Sequence, residues 1–383
     1  MATRKTLDLS SLVLFCASIS VAFAFNAFAG GDWYVDCVNG NDTNSGAEGS
    51  PKATIRAATT NAVSGDVVHV APGTYGAAEG VQPATGKVGA RVVVPEGVTL
   101  VGTGGAANTF IVGANATGDQ IDNATYGTGA NAVRCVYAQS GAVVRGFTLT
   151  GGRTVGTGED SGNGFGSAFY SATERTATIE DCIVSNNVAY RGTINQAVVR
   201  RCRILGNTGI VTTLSGAAGY KCSWLGCLID RNDGNDTVGY TPAKVVNCTF
   251  GSGNTSSVAN HRTIYSSAGS SLVNCAILGG GIYPSGGSAN IYMTNCLVVS
   301  HWMWNGISEE RRINTVYTNA AAVRLNVDCS PRAGSPVIDA GNTALATGLL
   351  GDKDVYGAPR VANGVIDIGA AEYVARGLFL IFR

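Results

Sequence analysis

Three arginines, the residue type best suited to bind a carboxylate, lie close together in the chain. A guanidinium group can donate two parallel hydrogen bonds to one carboxylate. The three arginines are Arg200, Arg201 and Arg203. If neighbouring repeats of the chain stack, Arg200 lies over Glu180, with Arg145 one repeat further away. Arg145 and Arg200 are therefore candidate ligands for an acidic polysaccharide. The alternative is a row of alternating charges that only stabilises the stack.

A second cluster is rich in oxygen ligands. Asp230, Asp233 and Asp236 alternate with Asn232 and Asn235 in the stretch DRNDGND. Calcium prefers several oxygen ligands, so the three aspartates are candidate calcium ligands and calcium is the one cofactor indicated. The stretch does not match an EF-hand loop. The alternative is an ordinary turn, in which Asp and Asn bond to their own backbone.

Aromatic residues that could stack on sugar rings lie beside one of the three histidines. Trp302 and Trp304 follow His301 and are candidate substrate-binding residues. The alternative is that both tryptophans close the end of the core. His69, His261 and His301 are far apart and lack a metal-binding spacing. No phosphate-binding loop and no G-x-S-x-G motif is present.

The elements that position these residues follow from a repeat built around a cysteine. Six of the eleven cysteines recur at intervals of 20 to 27 residues. In an earlier copy of the repeat, a phenylalanine takes the place of the cysteine. A period of this length, made of short strands, is typical of a solenoid. The predicted core ladder consists of Phe147, Cys182, Cys202, Cys227, Cys248, Cys275 and Cys296.

Each copy predicts two short strands joined by a corner. Apolar residues three places before the cysteine and two places after it share its inward face, because side chains alternate along a strand. Asn, Asp or Gly usually precedes the cysteine and forms the corner, with Arg201 as the exception. The chain also has 53 glycines among 383 residues and no helical period in the repeats. The pattern therefore predicts a parallel β-helix and disfavours a leucine-rich repeat.

The first 29 residues have the features of a secretory signal peptide. Arg4 and Lys5 precede the apolar run 11–25, which is too short to span a bilayer. Residues 27–29 form an A-x-A cleavage site. We therefore expect a secreted or bacterial cell-surface protein, cleaved near Ala29.

The charge of the mature chain is almost balanced. Removing Arg4 and Lys5 from 26 basic residues, and Asp8 from 26 acidic residues, leaves 24 against 25. Nucleic acid is therefore an unfavourable partner, because it selects a basic surface. No other stretch is long and apolar enough to cross a membrane.

The N-terminal part resembles secreted bacterial right-handed parallel β-helix proteins of the pectate-lyase-like superfamily. The resemblance rests on YVDCVNGNDTNSG at 34–46, SPKATIRAATTNAVSGD at 50–66 and VVHVAPGTY at 67–75. The far end resembles the choice-of-anchor Q domain of bacterial surface proteins. Its motifs are GSPVIDAGN, GDKD, GAPR and DIGAAEY, which occur in this order between Gly334 and Tyr373.

The predicted fold class is thus all-β: a right-handed parallel β-helix with an N-terminal capping helix at Pro51–Val63 and a small β-rich C-terminal cap. The expected domains are a signal peptide at 1–29, an N-terminal cap and first strand at 30–75, β-helix coils at 76–328 and the cap at 329–383.

The resemblance also implies an activity. In such lyases, acidic residues hold calcium against the sugar and a basic residue removes a proton, which makes Arg200, Arg203 and Glu180 candidate catalytic residues. None of the five lysines of the mature chain is expected beside acids on an outward row. We therefore favour a non-catalytic protein that binds polysaccharide or a cell-surface glycan, or that mediates a surface interaction. The alternative is an extracellular polysaccharide lyase or glycoside hydrolase.

The cysteines allow a separate prediction about redox state. In stacked coils the ladder cysteines have parallel Cβ vectors, which are awkward for a disulfide. We expect six buried free thiols that act as small apolar groups. The pairing of the other four cysteines stays open: Cys37, Cys135, Cys222 and Cys329.

Overall fold

The computed structural model describes residues 30–85, 88–156, 162–210, 216–239, 244–256, 262–266, 269–284, 291–299 and 311–375. Three parallel sheets, with few helices, form a right-handed parallel β-helix, which confirms the main part of the predicted fold class. Right-handed crossovers are the rule for parallel strands. In the described part of the chain, no helix is long and apolar enough to cross a membrane. The predicted signal peptide lies outside the described residues.

The strands of the first half are β1 (Asp32–Val35), β2 (Val67–Val70), β3 (Gly73–Tyr75), β4 (Gln82–Thr85), β5 (Val88–Val94), β6 (Thr99–Gly102), β7 (Thr109–Val112), β8 (Ile121–Asn123), β9 (Thr128–Gly129), β10 (Val133–Ala138), β11 (Val143–Arg145), β12 (Thr148–Thr150), β13 (Phe169–Ser171), β14 (Thr178–Glu180), β15 (Ile183–Ser185), β16 (Val188–Ala189) and β17 (Ile194–Asn195). Those of the second half are β18 (Val198–Arg200), β19 (Arg203–Leu205), β20 (Thr208–Gly209), β21 (Gly216–Tyr220), β22 (Ser223–Leu225), β23 (Leu228–Asp230), β24 (Asp236–Gly239), β25 (Lys244–Val246), β26 (Thr249–Phe250), β27 (Arg262–Ser266), β28 (Ser270–Val273), β29 (Ala276–Ile277), β30 (Gly281–Pro284), β31 (Ile291–Thr294), β32 (Leu297–Val299), β33 (Arg312–Ile313) and β34 (Val316–Thr318). The α-helices are α1 (Ile55–Thr59), α2 (Ala320–Val323) and α3 (Thr343–Ala346), and short 3-10 helices span Ala77–Glu79 and Gly118–Gln120.

Successive coils add one strand to each sheet. Sheet one runs β1-β2-β6-β11-β14-β18-β22-β25-β28-β31-β33, and sheet two runs β3-β7-β12-β15-β19-β23-β26-β29-β32-β34. Sheet three runs β4-β5-β10-β13-β17-β21-β24-β27-β30, with β4 antiparallel to β5. Coils therefore begin before residue 76, because β1, β2 and β3 already pair with strands of the next coils.

The predicted ladder lies in the core, between sheet one and sheet two. Phe147 and all six ladder cysteines are buried. The residue before each of them has φ between +49° and +78°, the left-handed region that Gly, Asn and Asp adopt most easily. This is the predicted corner. Arg201 adopts it too, with φ +49°, although arginine is poorly suited to it.

All ten cysteines in the described part of the chain have free thiols. The ladder thiols are buried, and burial raises the pKa of Cys202 and Cys248 well above its usual value. Their sulfurs contact backbone groups, as where the Cys227 amide donates to Cys248 Sγ at 3.4 Å. The four other cysteines form no disulfide either: Cys37 is exposed, Cys135 and Cys222 are buried, and Cys329 is half-buried.

The N-terminal helix is shorter than the predicted Pro51–Val63. Thr54 caps α1 by accepting a hydrogen bond from the Ala57 amide, and Ile55 and Ala58 pack into the core of the first coils. Val63, the last residue of the predicted helix, is 62% exposed because the helix has already ended.

As far as Val374 and Ala375, where the described residues end, the C-terminal part does not form the predicted β-rich cap. Residues 319–375, which we name the C-terminal clasp, contain two short helices and isolated bridges, and none of the strands. The clasp lies along the outward faces of sheets one and two. Leu350 and Ile366 pack on Leu225 of sheet one, and Ile368 packs on Leu297 of sheet two. The outward residues Leu225, Leu228 and Leu297 of the later coils are apolar. Burying each such side chain contributes about 1.5–3 kcal/mol, so a lateral cover is favoured.

Candidate functional site

The predicted charge row exists on the outward face of sheet one. Arg145, Glu180 and Arg200 are aligned in the register of β11, β14 and β18. Glu180 Oε1 is 3.4 Å from Arg145 Nη1, and its Oε2 is 3.3 Å from Arg200 Nη1. Both guanidinium groups thus share one carboxylate. Because the acid is already paired, the row fits a stabilising role better than a catalytic one.

Arg201 joins the solenoid to the clasp. Its Nε and Nη2 donate to the two carboxylate oxygens of Asp181 at 2.7 and 2.8 Å, and its Nη1 donates to the Leu350 carbonyl at 2.8 Å. The hydrogen bond with Asp181 raises the pKa of Arg201. This bidentate contact holds an arginine in the left-handed conformation of the corner.

Arg203 has a different environment from its neighbours. It faces outward from β19, and its guanidinium carbon is 5.7 Å from the centroid of the Tyr356 ring, in the clasp. Such a contact holds one face of the guanidinium and leaves its N–H edge available. Within the described ranges, no carboxylate forms an ion pair with Arg203.

Arg203 lines a cleft of about 510 Å³ between the solenoid and the clasp. Asp181 and Arg203 come from the solenoid side, and Asp352 and Lys353 come from the clasp. Lys353 thus lies beside acids in this cleft, although not on an outward row of the solenoid. The motif GDKD does not predict that Lys353 lies opposite Arg203, because this position depends on the clasp folding back along the side of the solenoid.

Two acids of the clasp have different roles in this cleft. Asp354 accepts hydrogen bonds from the amides of Tyr356 and Ala358, each at 2.8 Å, and of Glu372 at 2.9 Å. It is therefore a structural residue that holds a turn of the clasp. The exposed side chain of Asp352 makes no such bonds within the described ranges and is available to a ligand.

The candidate calcium ligands are not brought together. Asp230 accepts from the Gly253 amide at 2.9 Å, Asp233 accepts from Thr255 Oγ1 at 3.2 Å, and Asp236 is buried in β24 and pairs with an arginine of β27. Among the described residues, no group of three or more His, Cys, Asp or Glu side chains is arranged to hold a metal ion. The reason is that the stretch crosses from sheet two to sheet three.

Asparagines between the candidate aspartates and in neighbouring coils form a buried ladder that the sequence analysis missed. Nδ2 of Asn187 donates to Asn207 Oδ1 at 3.0 Å, Asn207 does the same to Asn232 at 3.0 Å, and Asn232 to Asn254 at 3.1 Å. The available signal was an asparagine five or six residues after a ladder cysteine. Cys135 Sγ lies 3.6 Å from Asn187 Oδ1, next to this ladder.

A row of tyrosines on sheet three was also missed. Tyr137 stacks on Tyr170 with centroids 5.6 Å apart, and Tyr265 stacks on Tyr283 at 5.5 Å. The guanidinium of Arg262 lies over both rings of the second pair. Because the ring faces contact one another, they do not offer a free platform to a sugar, and the row stabilises the stack.

The remaining aromatic candidates, Trp302 and Trp304, lie outside the residues that the structure describes. Their role in substrate binding stays a prediction.

No curated protein matches the chain. Among solved structures, it is similar to one described as rhamnogalacturonan lyase, with 13% identity and a TM-score of 0.45 over 80% of this chain and 96% of that chain. It is also similar to pectin methylesterase PemA from Erwinia chrysanthemi (12% identity, TM-score 0.40, 77% and 95% covered). A third is GH136 lacto-N-biosidase from Eubacterium ramulus (11% identity, TM-score 0.35, 76% and 67% covered).

Likenesses this distant decide nothing about the reaction. A family model gives a firmer result: it is described as a protein of unknown function and matches residues 38–271, more than half of the chain. The chain therefore belongs to the DUF1565 family.

Proposed function

We propose that this protein is a secreted or cell-surface β-helix that binds an acidic polysaccharide in the cleft between solenoid and clasp, without cleaving it. The observation that carries the proposal is the position of Arg203, which rests on the Tyr356 ring and has its N–H edge unused by any carboxylate of the described residues. Lys353 adds a second positive charge to the same cleft.

The composition of the cleft supports a sugar acid over a simple anion. A guanidinium held against a ring is suited to a bidentate contact with a uronate carboxylate. The exposed carboxylate of Asp352 can accept hydrogen bonds from sugar hydroxyls, which a small inorganic anion lacks. The volume of about 510 Å³ falls in the range of ligand sites, roughly 300–1,000 Å³.

Affinity electrophoresis of the mature protein tests the proposal. Gels contain polygalacturonate, alginate, a glycosaminoglycan or neutral dextran. We expect retardation by at least one acidic polymer, weakened by salt, and none by dextran. Equal mobility in all four gels contradicts the proposal.

A polysaccharide lyase is the second candidate, because bases and acids line one cleft. Arg203 or Lys353 could remove the proton beside a uronate carboxylate, while Asp181 and Asp352 lie in the same cleft. Incubation with the same acidic polymers, with and without calcium, decides between the candidates. New ultraviolet absorbance from unsaturated sugar ends establishes the lyase and excludes the non-catalytic function.

Export is part of the proposal and rests on residues 1–29. Sequencing the N-terminus of the protein recovered outside the cell is expected to start at Gly30. A mature chain that retains Arg4 and Lys5 contradicts cleavage at the predicted site.

A further inference from the structure

The C-terminal clasp contains a buried cluster of three carboxyl groups and one guanidinium. Asp354, Arg360, Asp367 and Glu372 are each at most 6% exposed. Arg360 Nη1 and Nη2 donate to the carbonyls of Ala370 and Gly369, at 2.7 and 2.6 Å. Its nearest carboxylate contact is Glu372 Oε1, 3.5 Å from its Nε.

The cluster has more acid than its single base can neutralise. Two of the acids are satisfied by amides: Asp354 accepts from three, and Asp367 accepts from those of Asp339 and Tyr373 at 2.7 and 2.6 Å. Glu372 accepts from one amide, that of Asp367, which its two oxygens share at 3.2 and 3.1 Å, and its contact with Arg360 is long at 3.5 Å. Burying a poorly paired carboxylate is costly, so Glu372 is the group that retains a proton.

The same stretch of the clasp also forms hydrogen bonds with the solenoid. The Gly369 amide donates to the Asn274 carbonyl at 2.8 Å, and the Ala370 amide donates to Thr249 Oγ1 at 2.9 Å. Asn247 Nδ2 donates to the Asp367 carbonyl at 2.8 Å. A change of charge at Glu372 therefore acts directly on the segment that docks.

We propose that the clasp is a pH-sensitive wall of the cleft, docked while Glu372 is protonated and loosened as this group ionises. Loosening removes Lys353 from the cleft and the Tyr356 ring from Arg203, so ligand binding becomes pH-dependent. The consequence for binding rests on the proposed function, but the docking equilibrium does not.

The charges around Glu372 support the direction of this effect. Burial raises its pKa from about 4.5 to about 8. Burial also raises the pKa of Asp367 and lowers that of Arg360. The titratable groups that face Glu372 are Asp354, Arg360 and Asp367. Asp339 of the clasp and Cys248 of the solenoid face the cluster from outside, next to Asp367 and Arg360.

The sign follows from linkage. Because the pKa is higher in the docked state, docking favours the protonated acid. The contribution of Glu372 to docking is complete below about pH 4.5 and declines as the pH rises to about 8. Over this range the docking equilibrium constant falls by up to tenfold for each pH unit.

Hydrogen exchange of the whole mature protein, followed by mass spectrometry between pH 5 and 9, measures the docking without any glycan. After correction for the intrinsic exchange rate, protection of Gly369 and Ala370 is expected to fall with rising pH. Protection of β10 and β13, in sheet three and away from the clasp, serves as the internal reference and is expected to stay level.

Glu372→Gln keeps the shape and removes the charge, so its clasp is expected to stay protected throughout this range. Glu96→Gln, an exposed site far from the clasp, is the matched control and is expected to behave like the native chain. Level protection of the native clasp overturns the proposal, even if Glu372→Gln does not fold. The proposal is also overturned if the protection of the clasp falls with pH as steeply in Glu372→Gln as in the native chain. If the protection of the native clasp falls with pH but no glycan binds, only the proposed function is overturned.

Discussion

The guanidinium of Arg203 and the ring of Tyr356 are 5.7 Å apart, although they are distant in the sequence. Arg203 belongs to a solenoid strand and Tyr356 to the clasp. Tyr356 is itself held by its amide, which donates to Asp354 Oδ1, and by its hydroxyl, which donates to the Asp328 carbonyl. The cleft is thus composite: the solenoid supplies the cation, and the clasp supplies the surface that orients it.

Tyr356→Ala is expected to weaken binding of an acidic polysaccharide about 2- to 30-fold, because a cation–π contact is worth about 0.5–2 kcal/mol. Tyr356→Phe keeps the ring and is expected to retain most of the affinity. Titration calorimetry with a polygalacturonate oligomer compares the two variants. An equal loss in both contradicts the role of the ring.

Asn207→Ala is expected to lower the free energy of unfolding by about 2–4 kcal/mol. The substitution deprives the Asn187 amide and side chain of their acceptor and Asn232 Oδ1 of one donor, all of them buried. Denaturant unfolding followed by circular dichroism measures the change. Asn363→Ala, at an exposed site with one 3.5 Å hydrogen bond, is the control. A loss no larger than in this control is incompatible with a stabilising ladder.

Thiol labelling without reductant tests the redox state of the cysteines. In the native protein, only Cys37 is expected to react quickly, because it is exposed while burial raises the pKa of the ladder thiols. After unfolding, at least the six ladder cysteines are expected to react. Finding none of them reactive establishes disulfides and refutes the free-thiol ladder.

Glu79 is expected to make the N-terminal part sensitive to pH. Its two oxygens accept hydrogen bonds from the amides of Ile55 and Arg56 at the start of α1, at 2.9 and 2.8 Å. Burial raises its pKa to about 7. The folded state therefore favours the protonated acid, and this contribution is complete below about 4.5 and lost as pH rises to about 7.

Thermal unfolding of Glu79→Gln between pH 4 and 8 measures this contribution. Relative to the native chain, the variant is expected to gain stability with rising pH, by at most about 3 kcal/mol. Glu48→Gln, at an exposed site, is expected to show no such gain. Parallel pH profiles of Glu79→Gln and the native chain are the result that contradicts this role.

The cysteine spacing was enough to predict the coils, their register and their corners, because each of these depends on local alternation and on one turn residue per copy. The alignment of Arg200 over Glu180 followed from the same register. These features were accessible because stacked repeats convert positions in the sequence directly into positions in space.

The cleft could not be predicted in the same way, because it joins parts of the chain that no repeat relates. The outward residues Leu225, Leu228 and Leu297 were the available signal, since apolar side chains on the outside of a solenoid require a cover. They indicate that something covers the flank, but not that Lys353 and Tyr356 are delivered to Arg203.

The central claim is that Arg203 binds an acidic polysaccharide, and the dissociation constant of Arg203→Met for a polygalacturonate, alginate or glycosaminoglycan oligomer tests it most directly. Arg145→Met is the matched control, because it removes the same charge from the row on sheet one. A lost charge-assisted hydrogen bond is worth about 1.5–3 kcal/mol, so we expect Arg203→Met to bind at least about tenfold more weakly, with Arg145→Met close to the native chain. Native affinity in Arg203→Met, or an equal loss in both variants, contradicts the claim.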